Sequence, residues 1–132
     1  MKRLLTAVAA AALLVSMSAP AAYAQNRTVV NQSGYANAAA NAQAGNRNGA
    51  VTNQRGRRHY ARGVQEGYNN FLRMDQYGTR NRAETTQIGN DNFAATGQEG
   101  RNLRAETIQT GSGNVAGVAQ IGNGSRAVTD QD

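Results

Sequence analysis

The chain has no cysteine and no tryptophan. No disulfide can staple it, although small exported domains often depend on disulfides because their cores are weak. Beyond residue 24 the sequence holds only two leucines, Leu72 and Leu103, and two phenylalanines, Phe71 and Phe93. That excludes a conventional aliphatic core. By composition alone the chain sits near disorder, with Gly, Asn, Gln, Ala and Arg dominant. One histidine, His59, and no cysteine provide neither a Ser/His/Asp set nor a Cys/His metal cluster. No enzymatic activity, cofactor or metal site is expected, and His59 reads as a structural substitute rather than a catalyst. Gly111-Ser112-Gly113 resembles a phosphate loop only superficially. Calcium-binding repeats need regular Asp in their turns, and Asp91 stands alone.

Long apolar runs are also missing, with one exception at residues 4–15. That run is short of the roughly 20 residues a membrane-spanning helix needs. It follows Lys2 and Arg3 and precedes Ala22-Tyr23-Ala24, a small-x-small cleavage site. Residues 1–24 therefore read as a secretory signal peptide rather than a transmembrane anchor. The remaining segment, 25–132, carries twelve arginines against 8 acidic residues, a net charge of +4. The cations are spread along the chain, which suits a soluble surface with some affinity for anionic polymers.

What the sequence does have is a period. Glutamine recurs every eleven residues without a gap, at Gln32, Gln43, Gln54, Gln65, Gln76, Gln87, Gln98, Gln109, Gln120 and Gln131. Glycine follows two places later at Gly34, Gly45, Gly56, Gly67, Gly78, Gly89, Gly100, Gly111 and Gly122. Five places after each glutamine stands an amide in most units: Asn37, Asn48, Asn70, Asn81, Asn92 and Asn114, with Asn26 in phase ahead of them. His59, Leu103 and Ser125 replace it elsewhere. Alanine follows two places further on, with Leu72 as the exception, and threonine is commonest two places beyond that. Asn41, Gly63 and Met74 interrupt the threonine column. A linker needs no such register.

An eleven-residue period could also be a helical hendecad. The marked positions decide against it, because Asn, Ala, Thr and Gln fall two apart, and period two is a strand signature. Each unit is predicted as an eight-residue strand followed by a three-residue turn led by glycine, which suits the positive φ such turns need. Ten strands follow: 26–33, 37–44, 48–55, 59–66, 70–77, 81–88, 92–99, 103–110, 114–121 and 125–132. Two strands per coil give an all-β, two-sheet β-solenoid of 22-residue coils with cross-β stacking. Strand 59–66, with Arg57 and Arg58 before it and Gly63 inside, is expected to be the weakest.

The Asn/Ala/Thr/Gln phase contains no Arg, Lys, Asp or Glu in any strand. Burying an unpaired charge is costly, so this phase is the predicted interior. Its amides are expected to form ladders, each donating to the same residue one coil away, about 4.8 Å off. The glutamine ladders would be Gln32 to Gln120 on one face and Gln43 to Gln131 on the other, with asparagine ladders beside them. Outward positions form columns too. Phe71, Phe93 and Val115 share one face, and Arg82, Arg104 and Arg126 share the other beside Glu84 and Glu106. Those charges read as gatekeepers. Ile88, Ile108 and Ile121 also point outward, where lateral packing between filaments would cover them.

Natural solenoids cap their open strands with polar ends, and no such cap is visible here. Top and bottom then match, and a head-to-tail contact that does not close makes a filament. The pattern resembles the curlin repeat of bacterial curli fibres, Gln-x-Gly-x-x-Asn-x-Ala-x-x-x-Gln. It appears as Gln87, Gly89, Asn92, Ala94 and Gln98, again from Gln76 through Asn81 and Ala83 to Gln87, and from Gln109 through Asn114 and Ala116 to Gln120. The resemblance covers 26–132. It implies a functional amyloid on Gram-negative cells, serving biofilm matrix, adhesion and aggregation. Expected partners are further copies of the chain, a second curlin subunit, an outer-membrane secretion pore with chaperones, and host or matrix surfaces. No sequence-specific nucleic acid and no membrane span are expected. Elongating and nucleating roles both stay open. A monomeric adhesin with the same fold is the main rival. An ice-binding solenoid is a lesser one, because its threonine rows would face outward rather than share the charge-free phase.

Overall fold

A computed structural model describes residues 11–12 and 25–132. The expected leader lies outside the described residues apart from a two-residue strand, β1 (Ala11–Ala12), which pairs with Ala38 and Ala39. The rest is a β-solenoid of ten strands: β2 (Arg27–Tyr35), β3 (Ala38–Asn46), β4 (Gly49–Arg57), β5 (Tyr60–Tyr68), β6 (Phe71–Thr79), β7 (Arg82–Asn90), β8 (Phe93–Arg101), β9 (Arg104–Ser112), β10 (Val115–Asn123) and β11 (Arg126–Gln131). They alternate between two parallel sheets, β2-β4-β6-β8-β10 and β3-β5-β7-β9-β11, with β1 on the β3 edge of the second. Five coils result. Every pair is in register at 22 residues, so Gln54 lies beside Gln76 and Ala83 beside Ala105. No helix among the described residues is long and apolar enough to cross a membrane.

The strands begin one residue later than the spacing predicts, and β2 to β10 run two residues further. The glycine is therefore not the start of a turn; it is the penultimate residue of a nine-residue strand. Its geometry explains why. Gly89 and Gly100 have φ of 124° and 136°, and a Cβ on either would lie 1.9 Å from the carbonyl oxygen of the glycine one coil on. Only glycine lets the backbones stack that closely. The chain then bends at one left-handed residue, such as Arg58 (φ 56°), Asn69 (φ 55°) or Asp91 (φ 57°). The corner stays within the ladder, because Arg58 N donates to Tyr35 O at 2.9 Å and Asp91 N to Tyr68 O at 2.9 Å. No backbone pairing is given up to turn the chain.

The charge-free phase faces inward. The fully buried side chains include Ala61, Ala83, Ala94, Gln76, Gln87 and Gln109, and every buried residue belongs to that phase. The exceptions in the repeat compensate one another. Leu72 and Met74 are larger than the Ala and Thr they replace, and both are fully buried. They join Ala39, Ala50, Ala61 and Ala83 in one apolar cluster. A Cβ on Gly63 would lie 2.6 Å from Asn41 Oδ1 and 2.8 Å from Leu72 Cδ2. Gly63 is thus the space into which Asn41 and Leu72 fit, and its strand neighbour Ala61 belongs to the apolar cluster. Asn41 in turn bonds Thr52 Oγ1 across the interior at 3.1 Å.

Outside, Phe71 and Phe93 stack with ring centroids 5.7 Å apart, and Val115 follows in register. Arg82 lies over Tyr60 at 5.0 Å and pairs with Glu84 two residues along its own strand. Arg104 and Arg126 share Glu106, each at 3.9 Å.

Gly89→Ala should destabilise the solenoid by more than about 2 kcal/mol, the cost of strain plus a backbone clash. Gly117→Ala, where a Cβ meets nothing within 4 Å, should change it by less than about 0.5 kcal/mol. The buried hydroxyl of Thr96 has no partner, and Val118 occupies the same column one coil on. Thr96→Val should therefore stabilise by about 1 kcal/mol. Chemical denaturation followed by far-ultraviolet circular dichroism reads all three.

Candidate functional site

The interior amides form two different devices. Glutamines bond glutamines. In the first sheet, Nε2 of Gln32 donates to Oε1 of Gln54 at 2.7 Å, Gln54 to Gln76 at 2.8 Å, Gln76 to Gln98 at 2.8 Å and Gln98 to Gln120 at 2.8 Å. In the second, Gln43 donates to Gln65 at 2.7 Å, Gln65 to Gln87 at 2.9 Å, Gln87 to Gln109 at 2.9 Å and Gln109 to Gln131 at 3.0 Å. The second Nε2 proton crosses to the opposite sheet. Gln54 donates to Ala38 O at 2.9 Å, Gln76 to Tyr60 O at 3.0 Å and Gln98 to Arg82 O at 3.0 Å. Gln54, Gln65, Gln76, Gln87, Gln98 and Gln109 each therefore tie two coils along the axis and two sheets across it.

The asparagines do not form a side-chain ladder, which corrects the reading from sequence. Each sits at a corner and bonds backbone. Nδ2 of Asn48 donates to Ala44 O at 2.9 Å and to Gly67 O at 3.0 Å, while its Oδ1 accepts from Asn70 N at 3.0 Å. Asn70, Asn81 and Asn92 repeat the clamp on Gly89, Gly100 and Gly111. Asn37 does the same with Ser33 O and Gly56 O. At the two ends, Asn26 donates to Gly45 O and Asn114 to Thr110 O. An Asn side chain is short enough to reach the corner backbone, whereas the longer Gln reaches its own copy. The glycine column and the asparagine column are thus one unit: Gly34 to Gly122 provide the tight corner, and the asparagines bind the carbonyls that it exposes. Period-two counting cannot distinguish the two amides, because it registers facing and not reach.

His59 occupies one of these corners and imitates asparagine. Asn81 N donates to its Nδ1 at 3.3 Å, and its Nε2 lies 3.2 Å from Arg55 O. An accepting Nδ1 and a donating Nε2 define the neutral Nε2–H tautomer. Burial holds its pKa below 6.5, against the opposing pull of the Arg55 and Gly78 carbonyls. A depressed folded pKa means that the unfolded chain binds the proton first. The stability this residue protects is complete above pH 6.5 and is lost as pH falls below that value. The slope is at most about 1.4 kcal/mol per pH unit. His59→Asn should keep the clamp and flatten stability between pH 6.5 and 5 relative to the unsubstituted chain, as urea midpoints at stepped pH would show.

Both glutamine ladders run in one direction, with Nε2 always pointing to the C-terminal side. At that end Gln120 Nε2 is buried without a partner. At the other end Gln43 Oε1 accepts from Thr28 Oγ1 at 2.9 Å. Among the described residues no three His, Asp or Glu side chains converge to hold a metal ion.

A family model for the curlin associated repeat matches three times, over residues 45–78, 78–106 and 100–132. No curated protein and no solved structure matches the chain. The three matches follow one another through the coils that carry the amide ladders and glycine corners, and the chain belongs to the curlin family.

Proposed function

We propose that the chain is a self-assembling subunit of an extracellular curli-type fibre and grows by stacking the N-terminal face of one copy on the C-terminal face of the next. The observation that carries this reading is the directional ladder, which ends on a buried Gln120 Nε2 with no acceptor. A second copy placed one coil rise away would put Gln32 over Gln120 and Gln43 over Gln131. Both pairs lie the same number of residues apart, so one rigid placement serves both columns. It also sets Gly34 over Gly122 and Asn26 over Asn114. A Cβ on Gly122 meets nothing within 4 Å, whereas one on Gly100 in the coil before would strike Gly122 O at 1.9 Å; the open end is shaped for one more glycine corner. The contact is heterologous and does not close, so it extends without limit.

Membership in a family of fibre subunits supports the same reading and extends it to biofilm matrix, cell adhesion and aggregation outside the cell. Export behind a cleaved leader through a dedicated pore, with chaperones and a second curlin subunit as partners, belongs to the proposal. The work is mechanical: repeated backbone and amide bonds along one axis.

Gln131 lies at the open end of its ladder and is only half-buried. Gln131→Arg should therefore leave the isolated solenoid folded. In a filament the same arginine would be an unpaired charge between Gln109 and the next copy's Gln43. Elongation from seeds should slow at least tenfold, read by thioflavin fluorescence with electron microscopy. Growth at an unchanged rate with unchanged cross-β diffraction would refute head-to-tail stacking.

A further inference from the structure

The two flat faces and the two narrow edges of the solenoid treat charge differently. The ion pairs among the described residues, Arg73–Asp75, Arg82–Glu84, Arg104–Glu106 and Arg126–Glu106, all lie on the faces. The edges are unpaired and opposite in sign. The corners leading from the first sheet to the second carry Arg55, Arg57, Arg58, Arg80 and Arg101, all exposed, against Glu99 alone. Five arginines and one glutamate give this edge +4, equal to the net charge of residues 25–132. The opposite corners carry Glu66, Asp91 and Asp132 against Arg47, a charge of −2. No ion pair links any of these edge groups to another described residue.

Backbone preference does not explain the basic edge. Arg58 and Arg80 occupy left-handed positions with φ of 56° and 59°, where Asn102 and Gly124 serve the same column and suit that conformation better. Stacking like charges on adjacent coils also opposes the fold. Arg47 on the opposite edge bears the backbone cost too (φ 57°), but of the two edges only the basic one stacks arginine on arginine, Arg58 beside Arg80, which points to something outside the coil that repays it.

We infer that the basic edge docks on the acidic edge of a second copy, joining filaments side by side in parallel; the inference rests on the stacked fibre proposed above. Under simple translation the match is made in the second and third coils. In the second coil Arg55, Arg57 and Arg58 would face Glu66. In the third, Arg80 would face Asp91, while the exposed Tyr77 would meet the exposed Ile88. Both filaments share one coil rise of about 4.8 Å, so a pairing made once recurs in every subunit. A nucleic-acid strand offers charges at about 3.4 Å instead, and it has no counterpart for the Tyr77–Ile88 contact. Exposed ion pairs are individually weak. Lone chains would stay apart, and the contact becomes effective only when repeated along a filament.

Charge reversal tests this on preformed filaments. Arg55→Glu/Arg57→Glu/Arg58→Glu gives two acidic edges, and Glu66→Lys/Asp91→Lys gives two basic ones. Each set alone should remain as single filaments by electron microscopy, with wild-type thioflavin signal. Mixing the two preformed sets should restore bundles. Wild-type bundles should separate above about 0.5 M salt, where screening is short-ranged, while the thioflavin signal persists. Variants that bundle alone as wild type does, mixtures that stay dispersed, or wild-type bundles that resist salt would overturn the inference. So would bundling that appears only when single-stranded DNA or an acidic polysaccharide is added. The salt titration needs no variant, so it holds even if a reversed chain fails to assemble. Absence of filaments from the wild-type chain would instead reject the fibre reading.

Discussion

A buried amide without a hydrogen-bond partner costs about 1–3 kcal/mol, and the interior of this solenoid holds more polar than apolar side chains. Stacking at the coil spacing resolves that conflict. The six glutamines from Gln54 to Gln109 each find their copy on the next coil and a carbonyl on the opposite sheet, and the corner asparagines bind backbone. The same spacing dictates everything else in the coil. It forbids a Cβ at the glycine column, sets the 22-residue register and aligns outward side chains into columns. A chain with almost no aliphatic side chains can fold this way because hydrogen bonds, not a large oily core, fill the space between its sheets.

The departures from the repeat show how strict that spacing is. His59 survives in an asparagine column because a neutral imidazole can accept on one nitrogen and donate on the other, along nearly the same directions as a carboxamide. Leu72 is accommodated because Gly63 opposite it leaves room. Changes are absorbed within a coil or across the interior, never by altering the rise. A local change of rise would break every ladder at once, which is why the irregular residues come as matched sets.

Ladder direction links fold to assembly. Side-chain amides have a donor end and an acceptor end, so a column that runs one way gives the two ends of the solenoid different chemistry. An end that offers donors matches an end that offers acceptors, and the two faces of one chain already have that relation. In the proposed fibre, stability and self-association draw on the same bonds, in contrast to proteins whose binding surfaces are added to an independent core.

Periodicity alone determined the strand class, the inward phase, the 22-residue coil and the glutamine columns. Alternation reports facing directly, and a repeat that returns to the same face must stack identical residues. The curlin resemblance was legible from the same positions. Three features were decided by the tertiary structure. Gly89 and its column lie within strands, because corner backbones pair with the next coil instead of leaving the ladder. The asparagines bind backbone rather than one another, because reach depends on side-chain length at a corner whose shape a linear pattern does not contain. The arginines, evenly spread along the chain, gather five to one edge, because winding two strands per coil brings residues eleven apart to opposite edges and residues 22 apart together.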